Sequence, residues 1–407
     1  MSEQLTMRLL QRQVLPVDRD TDVIRLYVDP EAVILDADKF EIGANRGARA
    51  LAAASVRQSI STGAPVHPDQ IQSRTAMRIP QGERLSFGTY FNAFPASYWR
   101  RWTVVKTVLL TVRLRGRGAS VTVYRSMANG RSQRVDSFAT TSSESTAFEF
   151  ELTLKPFADG GWYWYDVGAG DEDVVVESAE WTTEIPSDRA EHGNLTIGIT
   201  TMNRPDFCAD LLVQIGEDAD LAPYLDQVLV VEQGKNKVVD SPVFAKAEAA
   251  LGETLRIIEQ ANLGGSGGYA RGQYETVRRN TAKYFMCMDD DVVCEPEGII
   301  RAVTFADLTR RPTLVGGHMF SLYSKSRLHS FGEIVQPWRF WWTAAPGVFT
   351  DWDFSARNLR STRWLHQRVD VDFNGWFMCL IPTEVLAEIG LSLPLFIKWD
   401  DSEFGLR

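Results

Sequence analysis

Three consecutive aspartates are the strongest chemical signal in the sequence. Asp289, Asp290 and Asp291 follow the apolar run KYFMCM, which is typical of a buried strand, and precede a segment with helical spacing. Alternate residues of an extended chain point to opposite sides, so Asp289 and Asp291 are predicted to share a side and Asp290 to cap or solvate the turn. Two carboxylates on one side can bind Mg²⁺ or Mn²⁺ with phosphate oxygens. The alternative is a solvated turn at the start of the next helix.

A second acidic group lies in the segment WDDSEFGLR. Asp400 and Glu403 have the spacing of a capping box, which predicts Asp400 as the N-cap of a helix. That assignment leaves Asp401, beside Trp399, as a general base able to deprotonate a hydroxyl group. The alternative is that Asp401 is a solvated acid in the first helical turn.

Tryptophans and two further polar residues accompany these acids. Trp338, Trp341, Trp342 and Trp376 could form a platform for stacking sugars, although each alone is more often a core residue. His329 and Glu333 fall in a segment predicted as loop, where they could contact a substrate. The alternative for His329 is an ordinary surface histidine.

The elements that must position these residues change character along the chain. Before about residue 190, runs of β-branched and aromatic residues separated by turn residues predict a β-sandwich. The Ala-rich segment 47–59 is predicted as a helix or a linker. From about residue 195, strand-like and helix-like segments alternate, which predicts a mostly parallel sheet with helices on both faces. The predicted domains are therefore 1–193 and 194–407.

Polar residues follow each predicted parallel strand, where such sheets bind ligands. They are Thr200, Thr201, Asn203 and Arg204 after the first strand, Glu232 and Gln233 after the second, Asn262 and the glycines to Gly268 after the third, and the three aspartates after the fourth. The glycines are predicted to form a loop that opens a helix, whose N–H groups favour a diphosphate. The alternative is a tight strand-to-helix connection.

Composition excludes several classes of protein. The 407 residues carry a formal net charge of −10, so no nucleic-acid partner is expected. The four cysteines form no CxxC pair and are predicted to be buried free thiols in a reducing cytosol. No signal peptide is recognisable, and no apolar run reaches the ~18–20 residues of a membrane span.

Several motifs together resemble a known family over essentially the whole chain. They are FGTYFNAFPASYWRRWT, FADGGWYWYDV, NLGGSGGY, MDDDV, WTAAP, VDFNGW and LPLFIKWDD. The chain resembles the inverting GT-A glycosyltransferases and, among them, the polymerising galactofuranosyltransferases of mycobacterial cell-wall galactan synthesis. The resemblance implies an all-β N-terminal sandwich followed by a Rossmann-like α/β GT-A domain. It also implies transfer of galactofuranose from UDP-galactofuranose to a lipid-linked galactan acceptor.

The resemblance further implies roles for single residues. Asp289 would bind the nucleotide-sugar and share a Mn²⁺ or Mg²⁺ ion with Asp291, while Asp401 would be the catalytic base. The uridine diphosphate pocket would be lined by Thr200, Arg204, Glu232, Gln233 and Asn262. The acceptor would be faced by His329, Glu333, Trp342, Trp376 and Asp400.

Two departures from the family pattern bear on activity. Phe377 replaces the second of two tryptophans, which removes an N–H donor. Family members also continue past the WDD helix into a histidine metal ligand and a helical region used for assembly and membrane contact. Weak or no activity is therefore expected from this chain alone. The full-length protein is expected to form a homo-oligomer at the cytoplasmic face of the plasma membrane. The alternatives are a transferase for another sugar nucleotide and a glycan-binding protein without activity.

Overall fold

The computed structural model describes residues 5–16, 20–30 and 65–407, and the predicted helix or linker at 47–59 lies outside them. The described elements before residue 190 are mostly strands. They are β1 (Leu5–Arg12), α1 (Thr21–Ile24), β2 (Asp29–Pro30), β3 (Met77–Ile79), β4 (Arg84–Ser86), α2 (Ala96–Trp102), β5 (Thr107–Arg115), β6 (Ser120–Ser126), β7 (Ser132–Ala139), β8 (Thr146–Thr153), β9 (Tyr163–Gly168) and β10 (Val174–Pro186).

These strands form two antiparallel sheets. One has the order β1-β10-β5-β8 with β3 also paired to β10, and the other has the order β2-β4-β9-β6-β7. Along β5, buried Val108, Leu110, Val112 and Leu114 alternate with more exposed residues. Such alternation lets one face of each antiparallel sheet join a shared core. The predicted β-sandwich is confirmed.

Strands and helices alternate from residue 195, as predicted. The elements are β11 (Leu195–Thr201), α3 (Pro205–Gly216), β12 (Leu225–Glu232), α4 (Phe244–Leu251), β13 (Leu255–Glu259), α5 (Gly264–Arg279), β14 (Tyr284–Asp289), α6 (Pro296–Asp307), β15 (Val315–Gly316), β16 (Met319–Phe320), β17 (Arg327–Ser330), β18 (Glu333–Gln336), β19 (Trp341–Ala344), β20 (Trp352–Asp353), β21 (Met378–Pro382), α7 (Thr383–Ile389) and α8 (Asp400–Leu406). Short 3₁₀ turns lie at Pro68–Gln70, Ser187–Arg189, Ala222–Tyr224, Val238–Asp240, Gly252–Thr254 and Arg363–His366.

The main sheet of this second part has the order β13-β12-β11-β14-β21-β15. Strands β13, β12, β11 and β14 are parallel, and β21 pairs antiparallel to β14. Side chains of α3 and α6 pack with one face of the sheet, whereas those of α5, α7 and α8 pack with the other. The predicted mostly parallel sheet with helices on both faces is confirmed.

The glycine-rich segment differs from its prediction as a loop, because α5 already begins at Gly264 and includes the glycines. A Cβ atom at Gly268 would overlap with Thr200 Cγ2 of β11, and one at Gly264 would overlap with the carbonyl oxygen of Phe396. Gly264 also has φ +74°, which L-residues rarely adopt. The glycines therefore allow the helix to approach the sheet and the 396 segment closely.

One hydrophobic cluster reaches from the sandwich into the second part, whose main sheet also has clusters of its own. Leu308, Leu328 and Trp364 belong to the same buried cluster as the sandwich side chains. Ion pairs cross the seam as well, with Arg8 Nη2 at 2.8 Å from Asp307 Oδ2. Apolar packing and paired charges thus connect the two parts.

The free cysteines also agree with prediction, since Cys208, Cys287 and Cys379 are buried and Cys294 is partly buried. Among the residues described, no helix combines the length and apolar character needed to cross a bilayer.

Candidate active site

Asp289 is the last residue of the central strand β14 and lies partly buried at the carboxyl edge of the sheet. Its Oδ1 accepts a hydrogen bond from the Tyr269 hydroxyl at 2.8 Å. Burial raises the pKa of Asp289, the Tyr269 hydrogen bond opposes that rise, and the charges of Asp291 and Asp400 add to it. A cation at this position would therefore relieve unfavourable negative charge.

Asp290 does not solvate or cap the turn as predicted. Its residue is only 8% exposed, and its Oδ2 accepts a hydrogen bond from Thr201 Oγ1 at 2.6 Å. Burial raises the pKa of Asp290, and the Thr201 hydrogen bond partly offsets the rise. The prediction failed because β11, the neighbour of β14, ends with a hydroxyl group facing the triplet. Asp290 thus joins the ends of two strands.

Arg204 reaches the same carboxylates from the turn between β11 and α3. It forms an ion pair with Asp291 and lies 4.0 Å from Asp290. Side chains of Arg204 and Asp291 are 52% and 39% exposed, so both remain open to solvent and to a ligand. The structure therefore brings Arg204 and the aspartates together, as predicted from the strand ends.

Glu232 lies at the end of β12 but points into the protein. It is 2% exposed, its Oε1 accepts a hydrogen bond from Val238 N at 2.6 Å, and its Oε2 lies 3.2 Å from Lys237 Nζ. These contacts hold the turn that follows β12. Direct contact of Glu232 with a nucleotide stays a prediction.

Gln233 and Asn262 shape the start of α5. Gln233 Nε2 donates to the carbonyl oxygen of Gly264 at 2.9 Å, and Gln233 Oε1 accepts from Leu263 N at 2.7 Å. Asn262 Oδ1 accepts from Gly264 N at 3.0 Å. Nearby, the buried Thr200 Oγ1 has no hydrogen-bond partner among the described residues and lies under Gly268 of α5. Nucleotide contacts of these residues also stay predictions.

Helix α8 carries the second acidic group, but without the predicted capping box. Trp399 is the N-cap, with φ +71° and no side-chain capping bond, and Asp400 is the first helical residue. The left-handed Trp399 shifts the helix start by one residue and directs Asp400 into the protein, where it is 8% exposed. Burial raises the pKa of Asp400, which the backbone hydrogen bonds only partly oppose.

Asp401 follows in the first turn and has the properties of a general base. Burial raises the pKa of Asp401 to about 6; the hydrogen bond from Ser402 N opposes that rise, and the charges of Asp400 and Glu333 add to it. A carboxylate with this pKa is ionised at neutral pH and is a stronger base than an ordinary aspartate.

His329 and Glu333 lie on short strands, β17 and β18, rather than in the predicted loop. The strands form because β17 pairs with β20 and β18 pairs with β19, which are contacts between segments that local sequence does not indicate. Glu333 is 7% exposed and accepts a hydrogen bond from Ser330 Oγ. The exposed His329 has its Nδ1 at 2.8 Å from Asp351 Oδ1.

Charge-charge interactions connect five carboxylates, which are called the carboxylate row here: Asp291, Asp289, Asp400, Asp401 and Glu333. The charges of Asp291 and Asp400 raise the pKa of Asp289, and the charges of Asp400 and Glu333 raise the pKa of Asp401. This row links the predicted metal end of the site to the predicted base.

The aromatic residues divide into exposed and buried members. Trp338, Trp341 and Trp342 are exposed, and the rings of Trp341 and Trp342 stack at 6.2 Å between centroids. Trp376 is only 5% exposed, because its ring packs edge-on against Tyr269 and Phe404. The exposed rings can stack on a sugar, whereas the ring of Trp376 packs in the core and its contact with an acceptor stays a prediction.

A cleft of about 1520 Å³ joins the carboxylate row to the sandwich. Its walls include Asp289, Asp291, His329 and Glu333 at one end and aromatic side chains of the sandwich elsewhere. A volume of this size exceeds that of an ordinary small-molecule pocket and suits an extended ligand.

Sequence reasoning missed three residues of this cleft region. Tyr269, which orients Asp289, is the tyrosine of NLGGSGGY and could have been noticed there. Tyr90 of the sandwich has its hydroxyl oxygen at 2.8 Å from His318 Nδ1. The surrounding protein lowers the pKa of His318 to about 4, although the ring still reaches solvent. No local pattern indicates this pair, because its members are far apart in sequence.

The donor set of the row suits a hard divalent cation. Asp289 and Asp291 offer carboxylate oxygens, which Mg²⁺ and Mn²⁺ prefer. Within the described ranges, no group of three or more His, Cys, Asp or Glu side chains is arranged to hold a metal ion. Substrate phosphate oxygens and water would therefore complete the coordination of an ion held by this pair.

Comparisons with known proteins match both parts of the chain. Residues 48–184 match the model "Galactofuranosyltransferase 2 N-terminal". The chain is 45% identical over 342 residues to galactofuranosyltransferase GlfT2 of Mycolicibacterium smegmatis and 43% identical over 341 residues to that of Mycobacterium tuberculosis. These alignments cover 82% of this chain, and 52% and 53% of those proteins, so the chain spans about half the length of the curated relatives it matches.

Among solved structures, a mannosyltransferase from Pyrobaculum calidifontis in complex with GDP-Man and Mn²⁺ is 14% identical. The alignment covers 53% of this chain and 52% of that one, with a TM-score of 0.30. A likeness at that TM-score adds nothing to the fold described above. Residues 192–407, more than half of the chain, match the model "Glycosyltransferase like family 2", and the chain therefore belongs to the family 2-like glycosyltransferases.

Proposed function

We propose that this chain transfers galactofuranose from UDP-galactofuranose to a hydroxyl group of a growing, lipid-linked galactan chain. The observation that carries the proposal is the carboxylate row, which connects a cation-binding pair to a base of raised pKa and lines the large cleft through Asp289, Asp291 and Glu333. The similarity of the chain to two galactofuranosyltransferases supports the choice of galactofuranose as the transferred sugar.

In the proposed mechanism, the donor binds at the carboxyl ends of the parallel strands. Asp289 and Asp291 would hold a Mn²⁺ or Mg²⁺ ion, which supplies positive charge against the diphosphate. Arg204 is exposed beside the same carboxylates and can exchange its ion pair with Asp291 for the donor's phosphate oxygens.

Asp401 performs the proton transfer. It accepts the proton of the acceptor hydroxyl as that oxygen bonds to the anomeric carbon and the bond from that carbon to UDP breaks. The attack comes from the side opposite the leaving diphosphate, so the anomeric configuration inverts. Burial, together with the charges of Asp400 and Glu333, keeps the pKa of Asp401 raised, and exposed Trp342 offers a face for the acceptor sugar.

A competition assay tests the choice of donor. The chain is incubated with Mn²⁺, a synthetic digalactofuranosyl acceptor and equimolar UDP-galactofuranose, UDP-galactopyranose and dTDP-rhamnose, and the product is analysed by mass spectrometry and NMR. We expect transfer of galactofuranose with inverted configuration, at a low rate because weak activity at most is expected from this chain alone. Transfer of only another sugar, or retention of configuration, would contradict the proposal.

Three broader expectations form part of this proposal. The chain divides into domains 1–193 and 194–407, a division supported by family matches that end at 184 and begin at 192. The protein acts at the cytoplasmic face of the plasma membrane, where a lipid-linked acceptor is found. It assembles as a homo-oligomer in its full-length form.

A further inference from the structure

A basic pocket lies at the seam between the sandwich and the second part, away from the carboxylate row. Its volume is about 480 Å³. Five of its lining residues are basic and none is acidic, although the whole chain carries a net charge of −10. The basic residues, called the seam cluster here, are Arg100, Arg101, Lys106, Lys155 and Arg310.

The seam cluster lacks the counter-charges that other basic residues at the seam have. Arg8 and Arg12 pair with Asp307 and Glu297, at 2.8 and 2.6 Å. Among the described residues, by contrast, no acidic side chain forms an ion pair with any member of the seam cluster. Their positive charges therefore repel one another without local compensation.

Hydrogen bonds to backbone carbonyls fix two of the arginines. Arg310 donates to the carbonyl oxygens of Arg101 and Arg100 at 3.0 and 3.3 Å, and Arg100 donates to the carbonyl oxygen of Phe157 at 3.3 Å. The contacts of Arg310 join the second part of the chain to the end of α2. The pocket walls are thus assembled before any ligand arrives, which lowers the ordering cost of binding.

We propose that the seam cluster binds a diphosphate group. Several unpaired cations around a concave surface concentrate an anion of high charge density, and guanidinium groups match phosphate oxygens with paired hydrogen bonds. The volume of the pocket lies within the range of small-molecule sites and is large enough for a diphosphate. The diphosphate is either a free ion or the head group of a membrane lipid.

The position of the pocket links it to the large cleft. The Arg101 guanidinium lies 5.0 Å from the centre of the Trp102 ring, and Trp102 lines the cleft. A ligand whose diphosphate occupies the seam cluster can therefore extend past Trp102 toward the cleft. Binding of the diphosphate itself does not require transferase activity, so failure of one proposal leaves the other standing.

Isothermal titration with inorganic pyrophosphate tests the site directly. The chain is titrated at low ionic strength with EDTA present, so that no divalent cation can draw the anion to the carboxylate row. We expect the double variant Lys106→Gln/Lys155→Gln to bind pyrophosphate roughly tenfold or more weakly than the unmodified chain. The matched control Arg113→Gln/Arg134→Gln removes the same charge from exposed sandwich positions and should bind normally.

Co-sedimentation with vesicles separates the two sources. Phosphatidylcholine vesicles with and without an isoprenoid diphosphate lipid are mixed with the unmodified chain and both double variants. If sedimentation requires the diphosphate lipid and is lost in the Lys106→Gln/Lys155→Gln variant, the diphosphate belongs to a membrane lipid. If the chain binds pyrophosphate but does not sediment with the vesicles, the diphosphate is a soluble ion. The absence of pyrophosphate binding, or equal binding by all three proteins, would overturn the proposal.

Discussion

At the scale of single residues, position decides what each aspartate can do. Asp290 and Asp401 each follow another aspartate in the sequence. Asp290 accepts a hydrogen bond from Thr201, whereas Asp401 belongs to the carboxylate row. Hydrogen bonding to a neighbouring strand gives Asp290 a structural role. Burial among other acids gives Asp401 the raised pKa that a base needs.

Substitution Asp401→Asn should lower kcat/KM for transfer by roughly 10²–10⁴-fold, because an amide cannot accept the acceptor's proton. Since the pKa of Asp401 is about 6, the rate of the unmodified chain should fall as pH drops below that value and level off above it. Steady-state kinetics from pH 5 to 8 check both points. Unchanged donor binding in the variant is the control, and an unchanged rate would refute the role of Asp401.

The same substitution should increase stability at high pH. A raised pKa means that the folded state favours the protonated carboxyl, so this contribution to stability is fully present below the unfolded pKa of about 3.9. It is lost as pH rises through about 6. Asp401→Asn should therefore raise the free energy of unfolding by roughly 1–3 kcal/mol at pH 8 and little near pH 4. Urea denaturation at both pH values checks this, and a loss of stability at pH 8 would contradict it.

At the scale of elements, α5 depends on close contact with the sheet. Gly268 lies directly over Thr200 of β11, where a methyl group has no space. At Gly265, three positions earlier in the same helix, the nearest atom to an added Cβ is Asp400 Oδ2 at 3.9 Å. The two glycines therefore differ in packing and offer a matched pair.

We expect Gly268→Ala to destabilise the fold by about 1–3 kcal/mol, because α5 must move away from β11. Gly265→Ala should be neutral or stabilising by up to about 1 kcal/mol, since alanine favours a helix where space is available. Chemical denaturation of both variants gives the comparison. Equal effects would show that the contact between α5 and β11 does not set the requirement for glycine.

The elements differ in how far sequence could predict them. Strands such as β12 and β14 were predictable, because strands covered on both faces are continuous apolar runs ending in polar residues. The start of α5 was not, because glycines favour loops locally and their use in close packing appears only when Thr200 is in place. The strand that carries His329 pairs with a segment more than 20 residues away, and the hairpin that carries Glu333 has no glycine turn motif at its tip, so local pattern did not reveal either strand.

At the scale of the whole molecule, one buried cluster contains side chains of both parts of the chain. Leu308, at the end of α6, is fully buried within the cluster that also holds the sandwich. The grouping of the aspartates with Arg204 was predictable from strand ends, whereas this shared core and the cleft beside it were not. Both arise from contacts between segments that are hundreds of residues apart.

Substitution Leu308→Ala should lower the free energy of unfolding by about 2–5 kcal/mol, because it leaves a cavity in the shared core. Since that cluster contains side chains of both parts, the unfolding transitions of both parts should shift together. Urea unfolding followed by tryptophan fluorescence and far-ultraviolet circular dichroism checks this. Separate transitions, with only one shifted, would contradict a shared cooperative core.

The central claim is that the carboxylate row holds a divalent cation together with a nucleoside diphosphate. The most direct test is isothermal titration of UDP into the unmodified chain and Asp291→Ala, each with Mn²⁺ and with EDTA, using Asp136→Ala on exposed β7 as control. We predict Mn²⁺-dependent binding that Asp291→Ala weakens at least about tenfold and Asp136→Ala leaves unchanged. Equal UDP binding with Mn²⁺ and EDTA, or by Asp291→Ala and the unmodified chain, would contradict the claim.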